Sequence, residues 1–133
     1  VPTDPNPGLG YIEPGAAVGP GARRVARFLE KPSRERAVEL VAAGCLWNSG
    51  IFAWRVEDYL AELAQHTPEL HAALAAADKG AAAFFGAVTN TVSVDVGVLE
   101  RSAKVAVVAG DFGWDDVGTW AALRRVRPRD AQG

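Results

Sequence analysis

Two adjacent carboxylates lie in the segment WDDVGTW, residues 114–120, between two tryptophans and beside a Gly-Thr pair. Asp115 and Asp116 offer the oxygen ligands that Mg²⁺ prefers, and proteins usually hold this ion with one or two carboxylates together with substrate phosphates. The segment therefore suggests a phosphate-handling site at a strand-to-helix corner. An ordinary turn and helix cap explains the same residues, and this segment alone leaves both interpretations open.

A second polar segment, FLEKP at residues 28–32, places an acid beside a base at the end of a predicted strand. Lys31 can bring a compact cation to a phosphate, close to the amides that begin the next helix. Glu30 can accept hydrogen bonds from substrate hydroxyls. The alternatives are a solvated lysine and a weak surface ion pair between Glu30 and either Arg27 or Arg34.

A third polar segment, WNSG at residues 47–50, places an amide where a loop meets another predicted strand. The Asn48 carboxamide is both donor and acceptor, which suits the neighbouring hydroxyls of a sugar, although a turn asparagine bonding its own backbone is the alternative. Gly8 and Gly10 would let the backbone approach a ligand, or serve a tight turn. Active sites of open α/β sheets lie beyond the carboxyl ends of strands, so we expect the three segments to converge.

The elements that must position these segments alternate between strand and helix. We predict strands at residues 9–13, 24–30, 46–54 and 104–109, the first of them followed by a long turn. We predict helices at 34–43, 56–65, 67–77 and 119–126, capped where the sequence has Ser33, Thr67 and Thr119. Residues 93–100 fit a short helix or a strand, and we favour the helix. The alternation predicts an α/β layered domain.

Composition describes one soluble globular domain of 133 residues, with 49% hydrophobic and 23% charged residues. A net charge of −2 gives no broad cationic field for nucleic acid, and we interpret the basic cluster at Arg124, Arg125, Arg127 and Arg129 as a solvated helix end. No apolar run reaches the roughly 20 residues that span a bilayer, so we expect no membrane partner and a cytoplasmic location.

Several residues are expected to be structural. Cys45 has no partner for a disulfide and fits a small packed residue, and Trp47, Trp114 and Trp120 fit the core. The chain contains no methionine, which favours a piece of a longer protein. An incomplete sheet would expose an edge, so a homo-oligomer is possible.

Five ordered segments, LGYIE, RFLEKP, LWNSGIF, SVDVGVLE and GWDDVGTWAAL, cover nearly the whole chain. In this order they resemble the mannose-1-phosphate guanylyltransferases, or GDP-mannose pyrophosphorylases, of the sugar nucleotidyltransferase superfamily. The resemblance implies a Rossmann-like mixed sheet flanked by helices. It also implies a Mg²⁺-dependent reaction in which mannose 1-phosphate attacks the α-phosphorus of GTP, giving GDP-mannose and pyrophosphate.

The resemblance further implies roles for individual residues. Lys31 would hold the sugar phosphate and Asp116 would ligate Mg²⁺, and these two would be the catalytic residues. The sugar-binding residues would be Gly10, Glu30, Asn48 and, as a weaker candidate, Asp95. Asp115 stands where the family often has Ser, so no ligand role follows for it.

Two departures from the family pattern limit the resemblance. Residues 6–11 read NPGLGY, where the family commonly has ETGYGY, which weakens the expected sugar contact at Gly10. The family's Gly-rich nucleotide loop and its second metal-binding aspartate have no counterpart.

We therefore expect residues 1–133 to be the sugar-phosphate-binding half, the C-terminal part, of a catalytic domain, inactive in isolation, with base specificity determined elsewhere. A non-catalytic sugar-nucleotide sensor that regulates a catalytic partner is one alternative function. The other is a related transferase that uses another sugar 1-phosphate or nucleotide.

Overall fold

A four-stranded sheet organises the chain in the computed structural model, which describes residues 1–127. Its strands follow the order β3-β1-β2-β4 and pair antiparallel at each of the three described contacts. They are β1 (Tyr11–Gly19), β2 (Ala22–Leu29), β3 (Leu46–Trp47) and β4 (Ala106–Val108). The α/β class, with a sheet and accompanying helices, is confirmed. Arg129 of the predicted basic cluster lies outside the described residues.

The helices are short, and most of them follow the sheet's first three strands. The α-helices are α1 (Arg34–Ala42), α2 (Val56–His66), α3 (His71–Ala76), α4 (Ala81–Gly86) and α5 (Trp120–Val126). Two 3₁₀-helices, Pro68–Leu70 and Ala77–Lys79, flank α3, and Asp95–Leu99 forms a π-helix. Within residues 1–127 no helix has the length and apolar character needed to cross a membrane.

Two hydrophobic clusters pack on the sheet. The first joins Tyr11 to residues of α1 and its following turn, namely Ala37, Leu40 and Cys45. The second joins Val25 and Phe28 of β2 to Leu99 of the π-helix. Successive side chains of a strand point to opposite faces. Because Tyr11 belongs to the first cluster and Ile12 packs on the second, α1 and the π-helix cover opposite faces.

Local capping signals gave correct predictions at two helices. The hydroxyl oxygen of Ser33 accepts a hydrogen bond from the Arg36 amide at 3.2 Å, and that of Thr119 accepts one from the Ala122 amide at 3.1 Å. The helix favoured for residues 93–100 is present, with π rather than α geometry. Cys45 is only 2% exposed, as expected of a packed residue.

The strand predicted at residues 46–54 was wrong beyond Trp47. Asn48 Oδ1 accepts a hydrogen bond from the Gly50 amide at 3.0 Å, and Gly50 has a φ of 70°, so the chain turns there. Ile51 and Trp54 are exposed as a result. The long turn predicted after the first strand was also wrong, because β1 continues to Gly19 and turns directly into β2.

Three further expectations were wrong. Thr67 does not cap the following helix, because its hydroxyl instead donates to the Leu63 carbonyl at 2.5 Å, and the predicted 67–77 helix is divided into 3₁₀ and α parts. Trp120 is 86% exposed rather than in the core. It is the first residue of α5, where the described structure packs nothing over its ring.

Candidate functional site

One end of the sheet brings three of the predicted site residues together. Tyr11 at the start of β1 pairs with both Leu29 and Trp47, so the residues that flank these pairs, Gly10, Glu30 and Asn48, are neighbours. The Asn48 amide donates to the Gly10 carbonyl at 2.8 Å. Antiparallel pairing therefore places the first residue of β1 beside the last residues of β2 and β3.

Gly10 is required here by close approach. A Cβ atom at this position would lie 2.7 Å from Glu30 Oε2, 3.1 Å from Phe28 Cζ and 3.2 Å from Asn48 Cβ. Any other residue would push these side chains outward. Gly10 thus allows the Glu30 and Asn48 side chains to pack closely against the chain just before β1.

Asn48 uses both ends of its carboxamide. Its Oδ1 holds the turn through the Gly50 amide, and its Nδ2 donates to Asp95 Oδ1 at 2.9 Å. The turn interpretation and the site interpretation of Asn48 are therefore both consistent with the geometry. Asp95, a weaker candidate by sequence, is drawn into the same cluster by this bond.

Glu30 and Lys31 lie at the corner between β2 and α1. The Lys31 Nζ atom is 3.2 Å from Glu30 Oε1, while the Glu30 side chain is 19% exposed and that of Lys31 is 66% exposed. The expected alternative, an ion pair of Glu30 with Arg27 or Arg34, is wrong, since Arg27 instead pairs with Glu13 at 2.8 Å. The acid is thus largely enclosed, and the ammonium group is open to an incoming anion.

The backbone at Lys31 is strained. Its φ of 45° is the one positive value at a non-glycine residue between 1 and 127. Such a conformation costs on the order of 1 kcal/mol and persists only where the surroundings hold it.

Glu100 is part of this cluster, and the sequence interpretation missed it. Its Oε1 accepts a hydrogen bond from the Glu30 backbone amide at 2.9 Å. The available signal was its position, because it closes the same SVDVGVLE segment that contains Asp95. The cluster therefore comprises Gly10, Glu30, Asn48, Asp95 and Glu100, with Lys31 at its rim.

The two aspartates of the third segment, WDDVGTW, differ in their hydrogen-bond partners. Asp115 accepts two hydrogen bonds from Arg125, at 2.6 and 3.0 Å, and this guanidinium lowers the pKa of the Asp115 carboxyl. Asp116 is exposed, and the hydrogen bonds and ion pairs of the described residues include none that would occupy its carboxylate. Of these two aspartates, Asp116 is thus the one whose carboxylate has no such partner in the described part of the chain.

A tryptophan pair connects this segment to the cluster. The rings of Trp47 and Trp114 meet edge to face, with centroids 6.3 Å apart. Both line a cavity of about 510 Å³, which Asn48 also lines and which Lys31 and Asp116 do not. Among residues 1–127 no hydrogen bond or ion pair joins Asp116 to Lys31 or Asn48. The structure thus brings Trp114 of the third segment to Trp47, whereas the Asp116 carboxylate itself is not joined to the cluster.

The residues present fit a metal only if a substrate's phosphate oxygens and water supply most of its ligands. No group of three or more His, Cys, Asp or Glu side chains in the described part of the chain could hold a metal by itself. Mg²⁺ commonly keeps few protein ligands and completes its octahedron with phosphate oxygens and water. The uncommitted carboxylate of Asp116 is compatible with that arrangement.

Comparison with known proteins identifies relatives of the whole chain. A mannose-1-phosphate guanylyltransferase of Escherichia coli is 43% identical over 148 residues, an alignment that covers all of this chain and 31% of the relative. A crystal structure described as mannose-1-phosphate geranyltransferase from Thermus thermophilus is 39% identical, with a TM-score of 0.82 over 97% of this chain and 38% of that one.

A more distant structure shares the architecture. The mannose-6-phosphate isomerase of Helicobacter pylori is 26% identical and matches with a TM-score of 0.72, over 87% of this chain and 49% of that one. The chain spans about a third of the length of the curated relatives that it matches. The sequence model described as nucleotidyl transferase matches residues 1–133, and the chain therefore belongs to the nucleotidyl transferase family.

Proposed function

We propose that this chain provides the sugar-phosphate side of a mannose-1-phosphate guanylyltransferase, which transfers a guanylyl group from GTP to mannose 1-phosphate. The observation that carries the proposal is the convergence of Gly10, Glu30 and Asn48, with Lys31 at the rim, at one end of the sheet. The relatives named mannose-1-phosphate guanylyltransferase support the choice of reaction.

The enclosed part of the cluster is suited to a polyhydroxylated ligand. The Glu30 carboxylate accepts hydrogen bonds, and the Asn48 carboxamide keeps one N–H and one lone pair beyond its bonds to Asp95 and Gly50. The Gly10 backbone, with no side chain of its own, lets the Glu30 and Asn48 side chains lie close together. In the proposed complex these groups bind the mannose hydroxyls.

Lys31 is suited to the phosphate. Its ammonium group is exposed and lies 3.2 Å from Glu30 Oε1, so a phosphate could be bound beside the carboxylate that binds the sugar. Phosphoryl transfer requires positioning and charge neutralisation more than covalent chemistry. Lys31 would hold the attacking phosphate in place, and no general base is needed because that phosphate is already anionic.

Mg²⁺ would be held by Asp116 together with nucleotide phosphates, and it would offset the negative charge that accumulates there. Asp115 would instead hold α5 through Arg125. We further propose a cytoplasmic location, mannose 1-phosphate and GTP as substrates, and no turnover by residues 1–133 alone. That last expectation follows because the curated relatives are about three times longer than this chain.

Substitution of Lys31 in the full-length protein tests the phosphate role. Lys31→Ala removes a charge-assisted contact, so the KM for mannose 1-phosphate should rise roughly tenfold or more while the KM for GTP changes less than about twofold. Lys31→Gly relieves the positive φ, so it should be more stable than Lys31→Ala and equally impaired. Lys79→Ala, at an exposed lysine outside the cluster, is the control. An equal loss for both substrates would refute the role given to Lys31.

Two aspartate variants test the metal role. Asp116→Asn should raise the Mg²⁺ concentration needed for half-maximal activity, by roughly tenfold, because a neutral amide is a poorer ligand. Asp115→Asn should leave this Mg²⁺ dependence unchanged and loosen α5. The reverse pattern would overturn the assignment.

Assays with a panel of sugar 1-phosphates and nucleoside triphosphates then test substrate choice. Absence of turnover with every pair would favour a sensor over an enzyme. Preference for another sugar or base would indicate a related transferase.

A further inference from the structure

We infer that Glu100 is a positioning residue, and that the π-helix Asp95–Leu99 and Glu100 together fix the two ligand-binding loops relative to each other. This inference rests on the function proposed above and adds to it. Glu100 would act through the Glu30-Lys31 corner rather than by contact with the substrate.

Asp95 at the start of the π-helix and Glu100 just after it each accept a hydrogen bond from a different loop. Asp95 Oδ1 accepts from Asn48 Nδ2 at 2.9 Å, and Glu100 Oε1 accepts from the Glu30 amide at 2.9 Å. The first bond is made to the loop that follows β3, and the second to the corner that follows β2. Asp95 and Glu100 therefore connect elements that are 47 and 70 residues away from them in sequence.

The π geometry explains how both acids reach the same end of the sheet. The Glu100 amide donates to the Asp95 carbonyl at 2.9 Å, which is the i to i+5 bond of a π-turn. In an α-helix, with 3.6 residues per turn, residues five apart are separated by roughly 140° about the axis. The wider turn reduces this separation, and both carboxylates reach the cluster.

The π-helix is held in place by packing against neighbouring elements. Gly97, Val98 and Leu99 are buried, and Leu99 packs against Val25 and Phe28 of β2. A Cβ atom at Gly97 would lie 2.9 Å from Thr67 Cγ2, which shows how closely the turn approaches the segment after α2. A support packed this tightly can hold ligand-binding groups in a defined geometry.

The corner that Glu100 holds needs such a support. Lys31, the next residue after Glu30, has the strained φ of 45°. A strained backbone persists where surrounding contacts hold it in place. The hydrogen bond from the Glu30 amide to Glu100 Oε1 is one such contact. Without it the corner could relax, and the ammonium group of Lys31 would be directed elsewhere.

Paired substitutions at Glu100 test the inference in the full-length protein. Glu100→Ala removes the acceptor, whereas Glu100→Gln keeps a carbonyl oxygen at the same place. Glu57→Ala, at an exposed glutamate of α2 paired with Arg55, is the control for loss of an exposed acid. We expect Glu100→Ala to raise the KM for mannose 1-phosphate about threefold to tenfold and to leave the KM for GTP unchanged. Glu100→Gln should stay within about twofold of the wild type.

Hydrogen exchange gives a readout that does not depend on activity. In Glu100→Ala the peptide containing Glu30 should exchange roughly tenfold faster, while Glu100→Gln and Glu57→Ala match the wild type. In a Lys31→Ala background, Glu100→Ala should add little further loss, because its effect passes through Lys31.

The failure of this inference is distinguishable from the failure of the proposed function. If Lys31→Ala raises the KM for mannose 1-phosphate while Glu100→Ala behaves as wild type in kinetics and exchange, Glu100 has no positioning role. A Glu100→Gln variant as impaired as Glu100→Ala would also overturn the inference, since it would point to charge at this position. If Lys31→Ala is silent and Glu100→Ala still accelerates exchange at Glu30, the support exists and the proposed function is wrong.

Discussion

Gly10→Ala is the substitution for which the structure gives the most direct expectation. The added methyl group would lie 2.7 Å from Glu30 Oε2, 3.1 Å from Phe28 Cζ and 3.2 Å from Asn48 Cβ. Glu30 can swing its carboxylate aside, at the expense of its contact with Lys31. Phe28 is 6% exposed and packs against Val25 and Leu99, so it can yield less. We therefore expect two effects, a modest loss of stability and a displaced carboxylate.

The magnitudes follow from these contacts. Forcing a methyl group into a packed site commonly costs about 1–3 kcal/mol, and the mobile Glu30 places this case at about 1–2 kcal/mol. Displacement of the Glu30 carboxylate should also raise the KM for mannose 1-phosphate about tenfold.

Denaturant unfolding and steady-state kinetics of the full-length protein measure the two effects separately. Gly19→Ala is the matched control, since a Cβ atom there meets nothing within 4 Å and that glycine is also in β1. We expect the control to match the wild type in both assays. If Gly10→Ala unfolds and turns over like Gly19→Ala, the close approach of β1 to Glu30 and Asn48 has no functional meaning, and the geometry of the candidate site is wrong.

Three other predictions concern the parts that support the site. Gly97→Ala should cost about 1–3 kcal/mol in the free energy of unfolding, because its Cβ would lie 2.9 Å from the fully buried Thr67; Gly86→Ala, with open space around it, should be near neutral. The hydrogen bond from Lys104 lowers the pKa of Glu62 in the fold, so this acid stabilises the protein at neutral pH and its contribution is lost in acid. The stability difference between wild type and Glu62→Gln should therefore shrink as pH falls below the ordinary range of glutamate, and a constant difference would contradict this. Burial raises the pKa of the Cys45 thiol, so a thiol reagent should modify it only as the protein unfolds, and rapid labelling of the native protein would disprove the packing.

The sequence was most informative where short-range interactions determine the structure. Ser33 and Thr119 were predictable as caps, because a hydroxyl followed three residues later by a helical amide needs no distant partner. Lys31 before Pro32 likewise marked a corner between strand and helix. Predictions of this kind depend on a few neighbouring residues, and the structure confirms both caps and the corner.

Predictions failed where the outcome depends on longer-range contacts. Ile51 and Trp54 have the composition of a strand, but the turn held by Asn48 ends β3 and no described strand pairs with them. Glu100 could not be predicted for a related reason. Its hydrogen-bond partner lies 70 residues earlier, and the placement of its side chain depends on a π-turn that no simple hydrophobic periodicity indicates. The position of Asp116 depends on a long loop without regular hydrogen bonds.

A meeting of all three segments was expected, and the structure brings together Gly10, Glu30 and Asn48 but not Asp116. Even for these three residues the physical reason differs from the one that was given. The prediction relied on the carboxyl ends of strands that share an edge, as in parallel sheets. In the structure the start of β1 meets the ends of β2 and β3, because the pairings are antiparallel. Convergence therefore depends on register, since a shift of one residue would turn each side chain of β1 to the other face.

The register of β1 and β2 is regular where the site depends on it. Pairs Tyr11 to Leu29, Ile12 to Phe28 and Glu13 to Arg27 follow one another without interruption, and all register shifts lie between Glu13 and Gly19. Irregular pairing at that far end leaves the distance between Gly10 and Glu30 unaffected. A substitution that shifts the regular pairs should therefore impair the site, whereas one in the irregular part should be tolerated. The sheet thus combines a strictly paired end at the candidate site with an adaptable end away from it.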